Sequence, residues 1–127
     1  MSSKKSIVSL AKKTIAIESL AISQLAEFID DTFAEAVELI LNSNGRVIIT
    51  GIGKSAIIAN KIVATLNSTG TPSVFMHAAD AIHGDLGLIL KNDLVICISK
   101  SGNTPEIKVL IPLLKNSGNT LIAITGN

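Results

Sequence analysis

The stretch Arg46-Val47-Ile48-Ile49-Thr50-Gly51-Ile52-Gly53-Lys54-Ser55-Ala56 decides the fold. Its β-branched run, Val47 to Thr50, reads as a short strand that empties into a glycine turn. A helical stretch from Ser55 to about Asn67 follows directly. The strand is apolar without alternation, the pattern of a strand covered on both faces.

Working outward, Ser68-Thr69-Gly70-Thr71-Pro72 is a turn and Ser73 to Met76 a second strand. Ala78 to Gly87 reads as a short helix or an ordered loop. Asp93 to Ile98 is a third strand, Thr104 to Asn116 a helix, and Thr120 to Ile124 a fourth strand. Upstream, Ile7, Leu10, Thr14, Ile17, Ala21, Leu25 and Phe28 recur at helical spacing between about Ser6 and Ile29. Asp30 or Asp31 then caps a second helix that holds Phe33, Ala36, Val37, Ile40 and Leu41 and ends near Asn42 to Gly45. The expected fold is α/β, a three-layer sandwich with a parallel sheet of Rossmann or flavodoxin-like type, preceded by two N-terminal helices. Right-handed crossovers place the carboxyl ends of the strands, and the loops after them, along one edge.

Composition fits one domain spanning residues 1–127. Of 127 residues 47% are hydrophobic, yet Phe28, Phe33 and Phe75 are the only aromatics, so the core must be aliphatic. A net charge of +1 and the absence of a basic, aromatic-interleaved patch argue against a nucleic-acid partner. Cys97, the lone cysteine, lies in the apolar run Leu94 to Ile98 and reads as a small buried hydrophobe. Polar residues interrupt every apolar segment, so neither a membrane span nor a signal core is expected, and the cytoplasm is the expected compartment. The chain reaches Thr125-Gly126-Asn127 straight after a strand, where a further covering helix is expected, so the domain is read as lacking its C-terminal elements.

Two loops carry the chemistry. Gly51 to Ala56 formally fits G-x-G-x-x-A, but the acidic residue that would hold a ribose is missing from the end of the second strand. Nor is it a Walker A loop, whose first glycine would fall on Ile48. Small residues before a helix start favour either an anion or a tight turn with no ligand. Ser99-Lys100-Ser101-Gly102-Asn103-Thr104 precedes Pro105, with Thr104 suited to the N-cap and Pro105 to the first helical turn. Its hydroxyls either cradle a phosphate or merely tie up the turn. Both loops should emerge at one sheet edge.

Together these segments resemble the SIS (sugar isomerase) domain family, with its S-x-S-G-x-T loop after a strand. Within it, Gly51 to Ser55, Ser68 to Ser73, His83-Gly84-Asp85-Leu86-Gly87, Ser99 to Gly102 and Leu121 to Gly126 resemble arabinose 5-phosphate isomerases. The resemblance covers practically the whole chain. It implies interconversion of D-ribulose 5-phosphate and D-arabinose 5-phosphate, on the route to Kdo for lipopolysaccharide or capsule, with no organic cofactor. It implies Lys54, His83 and Glu106 as catalytic residues. Gly53, Ser55, Gly70, Thr71, His83, Ser99, Ser101, Gly102 and Thr104 would bind the substrate and its phosphate, and His77 an inhibitory metal. A homo-oligomer, dimer or tetramer, is implied too, with a small-molecule sugar phosphate as ligand and no membrane partner.

Elementary chemistry agrees with these roles. Ring opening and proton transfer through an enediol need a base, an acid and a group that steadies an oxyanion. Bland readings stand beside them: Glu106 complementing a helix dipole, Lys54 as a plain counter-charge, His83 as a turn residue. Ala78 and Ala79 replace the usual proline and glycine before H-G-D-L-G. The relatives' further catalytic glutamate and histidine, and their paired CBS domains, fall outside this sequence. A non-catalytic sugar-phosphate sensor is the alternative function, although no helix-turn-helix segment is evident.

Overall fold

The computed structural model describes residues 3–126. The chain divides into two compact units, Met1–Val37 and Glu38–Asn127. The first holds α1 (Lys4–Gln24), a 3-10 turn (Leu25–Phe28) and the start of α2 (Asp31–Leu41). Ser3 caps α1, its hydroxyl accepting the Ser6 N–H at 3.1 Å. The expected single helix to Ile29 therefore ends earlier, at Gln24. No residue of α1 is buried.

In the second unit the elements run β1 (Val47–Gly51), α3 (Lys54–Ser68), β2 (Ser73–His77), α4 (Ala78–Ile82), a 3-10 turn (Asp85–Leu88), β3 (Leu94–Ser99), α5 (Pro105–Asn116) and β4 (Thr120–Thr125). The four strands form one parallel sheet in the order β2-β1-β3-β4. The stretch expected to be helix or loop is both: a five-residue helix, then a 3-10 turn.

Period-two alternation along β1 and β3 splits the core into two layers. Ile48, Val95, Cys97 and Met76 pack beneath α4 and α5 against Ala78, Ala81, Ile107, Leu110 and Leu114. Val47, Ile49, Leu94 and Ile96 face the other way, against Ala59 and Val63 of α3. The sheet is thus covered on both sides, as its uninterrupted apolar strands require. Burying a side chain such as Leu110 or Leu114, both wholly inaccessible, contributes roughly 2 kcal/mol.

The strand order has a consequence for function. From β1 the chain crosses by α3 to β2 on one side; from β3 it crosses by α5 to β4 on the other. Neighbouring β1 and β3 therefore send their helices to opposite faces, which opens a crevice beyond their carboxyl ends.

The opposite, amino edge is locked by polar bonds. Arg46 donates from Nη2 to Asp93 Oδ2 at 2.7 Å and to the Leu88 carbonyl at 2.9 Å, while its backbone N–H donates to Asp93 Oδ1 at 2.9 Å. Asn119 donates to the Leu90 and Asp93 carbonyls at 3.0 and 2.9 Å. Burial alone would raise the Asp93 carboxyl, but the Arg46 side chain and the Leu90 and Arg46 amides outweigh it and hold the carboxyl below its ordinary value.

Candidate functional site

The crevice between β1 and β3 receives both loops singled out in the sequence. Gly53 precedes α3 at φ 61°, ψ −129°, a conformation open to glycine alone. It has no side chain to cap the helix, so the first amides of α3 lack a side-chain partner. Lys54 opens the helix, exposed, with Ser55 half-buried behind it.

Across the crevice, Gly102 turns at φ 71°. Thr104 occupies the N-cap position of α5, as expected, but makes no side-chain cap hydrogen bond. Its hydroxyl is diverted: Ser99 Oγ and Thr104 Oγ1 lie 2.8 Å apart, and Ser99 Oγ accepts the Gly102 N–H at 3.1 Å. Ser101 Oγ accepts the Asn103 N–H at 3.1 Å. Ser99 is buried and Ser101 exposed, so within the loop Ser99 is the brace. Diverting Thr104 leaves the amides of the first turn of α5 without a side-chain cap. Two uncapped helix N-termini thus face one crevice, and both favour an anion.

A third loop, the one that follows β4, joins them. The Gly126 N–H donates to the Lys100 carbonyl at 2.9 Å, and a Cβ on Gly126 would lie 2.9 Å from that oxygen. The end of β4 is therefore tied to the serine loop; Asn127 lies outside the described residues.

His77 closes the row of strand ends, paired in register with Gly51. Its Nδ1 accepts the Ala79 N–H at 3.2 Å and caps α4, and its ring meets Phe75 edge-on at 6.2 Å. That hydrogen bond takes up Nδ1. Among the described residues no group of three or more His, Cys, Asp or Glu is placed to hold one. His83, at the other end of α4, is exposed; Glu106, in the first turn of α5, is half-buried. Among the described residues Lys54, His83 and Glu106 form no hydrogen bond or ion pair with one another.

Gly70 and Thr71 do not join this group. They lie in the turn from α3 into β2, on the amino edge, where the Pro72 carbonyl accepts the Val47 N–H at 2.9 Å. Within one chain they stand apart from the two loops, since a helix-to-strand turn falls on the edge opposite a strand-to-helix loop.

Two open clefts, of about 280 and 430 Å³, lie at that amino edge and share Asn44, Lys91, Asn92 and Asp93. They suit an anion poorly. α2 and α5 both end there, presenting the negative poles of their dipoles, and the Asp93 carboxylate is taken up by Arg46.

The SIS domain family matches residues 39–127. The chain belongs to the SIS domain family. Its sequence is 49% identical over 127 residues to arabinose 5-phosphate isomerase KdsD of Pseudomonas aeruginosa, covering 100% of the chain and 39% of that protein. To arabinose 5-phosphate isomerase KpsF of Escherichia coli O6:H1 it is 48% identical over 122 residues, covering 95% of the chain and 37% of that protein. The chain thus spans about two fifths of the length of these relatives. A solved Escherichia coli CFT073 protein, in complex with arabinose 5-phosphate, superposes with a TM-score of 0.92 at 41% identity, over 98% of this chain and 66% of that one. No helix among the described residues is long and apolar enough to cross a membrane.

Proposed function

We propose that the protein is an aldose–ketose phosphosugar isomerase, that it interconverts D-ribulose 5-phosphate and D-arabinose 5-phosphate, and that this SIS domain holds the phosphate. One observation carries the reading: two helix N-termini without side-chain caps meet at the switch point of the sheet. A dianionic phosphate there would accept from the amides of α3 and α5 and from the Ser101 and Ser55 hydroxyls. The relatives named arabinose 5-phosphate isomerase, and the neighbour solved with arabinose 5-phosphate, support the choice of sugar.

The reaction needs no outside oxidant. One carbon of the sugar is oxidised as its neighbour is reduced, and a proton moves between them through an enediol. Lys54, beside the phosphate loop, would steady the developing oxyanion. Glu106, half-buried at the start of α5, would take the carbon-bound proton, and His83 would serve ring opening or proton return. Metal sequestration at His77 is not part of this reading, because the cap of α4 occupies its Nδ1.

The setting proposed is cytoplasmic, and the assembly a homo-oligomer, dimer or tetramer. Exposed Ile7, Leu10, Ile15, Ile17, Leu20 and Ile22 on α1 support self-association, since so many large apolar side chains left uncovered on one helix favour a partner. The 127-residue chain alone is proposed to bind phosphosugar but to turn it over poorly.

The test is exchange between the two pentose 5-phosphates by the intact protein, followed by NMR. Conversion is expected, with a loss of about a hundredfold or more in kcat for Glu106→Gln. An intact protein that binds phosphosugar without converting it would return the function to a sensor.

A further inference from the structure

His77 does more in this fold than end a strand. It is the last residue of β2, lies in register with Gly51, and is the N-cap of α4. Histidine is an unusual cap; Ser, Thr, Asp and Asn supply the short acceptor that most helix starts use. Here imidazole Nδ1 plays that part, accepting the Ala79 N–H at 3.2 Å, while Phe75 meets the ring at an interplanar angle of 86°. The helix it caps has only five residues, Ala78–Ile82. Two of them, Ala78 and Ala81, are wholly buried against α5 and the sheet. At its far end His83 donates its backbone N–H to the Asp80 carbonyl at 3.0 Å. A helix of little more than one turn has few internal bonds of its own, so its cap is a large share of what holds it. The line of support therefore runs from β1 at Gly51, across the sheet to His77, through Nδ1 to the start of α4, and along α4 to His83.

We infer that His77 is a positioning residue: its Nδ1 cap on Ala79 fixes the short helix that carries His83 relative to the Gly51 to Ser55 loop. Its side-chain hydrogen bond goes to Ala79 and its ring contact to Phe75, neither in a phosphate-binding loop, so its loss should disturb the chemical step more than binding. This inference rests on the isomerase reading above.

The experiment compares the intact protein with His77→Leu, which removes the acceptor, and His77→Asn, whose Oδ1 can cap in its place. His77→Leu is expected to lower kcat about tenfold with KM changed less than about twofold. His77→Asn is expected to recover most of that loss. The unmutated protein supplies a second readout that depends on neither variant folding nor turnover. Its His77 Nδ1 should report an unprotonated acceptor by nitrogen NMR, and the Ala79 amide should be protected from hydrogen exchange. An Asn variant as impaired as the Leu variant overturns the inference, as does a protonated Nδ1 or an unprotected Ala79 amide. Should the unmutated protein convert neither pentose phosphate, the isomerase reading falls, and the two spectroscopic readouts alone decide whether the cap exists.

Discussion

Ser99 and Thr104 share a hydrogen bond of 2.8 Å across the serine loop, and that bond takes Thr104 away from the helix it would otherwise cap. A threonine before a proline at the first helical position normally turns its hydroxyl back to the amides of the first turn. Spent on Ser99, it leaves those amides to whatever anion enters the crevice. The two residues are five positions apart, one buried at the end of β3 and one half-buried at the entrance to α5.

Removing the brace should loosen the loop. Ser99→Ala leaves the Gly102 N–H and the Thr104 hydroxyl without their partner, a cost of roughly 1–2 kcal/mol. Pentose 5-phosphate affinity is expected to fall about tenfold by titration calorimetry, with the melting temperature lowered by a few degrees. Unaltered affinity would show that the loop holds its shape without Ser99.

At the amino edge, Gly45 is a steric necessity. A Cβ there would overlap the Asn92 carbonyl and lie 2.7 Å from the Asp93 nitrogen, and both are backbone atoms. Gly45→Ala should destabilise the protein by about 2 kcal/mol or more, measured by denaturant unfolding. An alanine variant as stable as the parent would mean that the two loops separate readily.

Acid should weaken the clamp beside it. The Asp93 carboxyl is lower in the folded chain than in the unfolded one, so the unfolded state takes up its proton first as pH falls. Its contribution is complete above the unfolded value of about 4 and is lost as pH drops through the folded value. Asp93→Asn should flatten the dependence of stability on pH below about 4. Arg46→Ala should cost roughly 2 kcal/mol near neutrality, because the carboxylate stays buried with only backbone donors.

Burial pushes the Cys97 thiol up to about 11. Very little thiolate then exists near neutrality, and the side chain is 3% exposed. Thiol reagents should modify the folded protein many-fold more slowly than the protein in denaturant. Equal rates in mass-spectrometric labelling would sink this.

The sheet was legible because its strands are unbroken aliphatic runs. Val47 to Thr50 and Leu94 to Ile98 admit no other economical reading, and the observed ends differ by a residue or so. The two loops were legible because glycine, serine and proline at helix starts have specific backbone reasons to be there. Other features were hidden for physical reasons. The Arg46–Asp93 pair spans 47 positions, and no local spacing announces such a bond. The diversion of Thr104 is a contest between two acceptable hydrogen bonds, which composition cannot rank. His77 as a cap breaks the usual preference for short oxygen acceptors. Gly70 and Thr71 were placed by motif rather than by strand direction, which alone would have put them at the far edge.

The clamp between Arg46 and Asp93 stands just upstream of β1 and β3, the two strands whose other ends deliver the phosphate loops. Parallel strands in fixed register behave as stiff rods, so anchoring one pair of ends also sets the height of the other pair. A slip of one residue at Arg46 would shift Gly51 against Ser99 by a full residue and reverse the facing of every side chain along β1. Substitutions at the quiet end of this sheet should therefore surface in a screen for ligand affinity as readily as in one for stability.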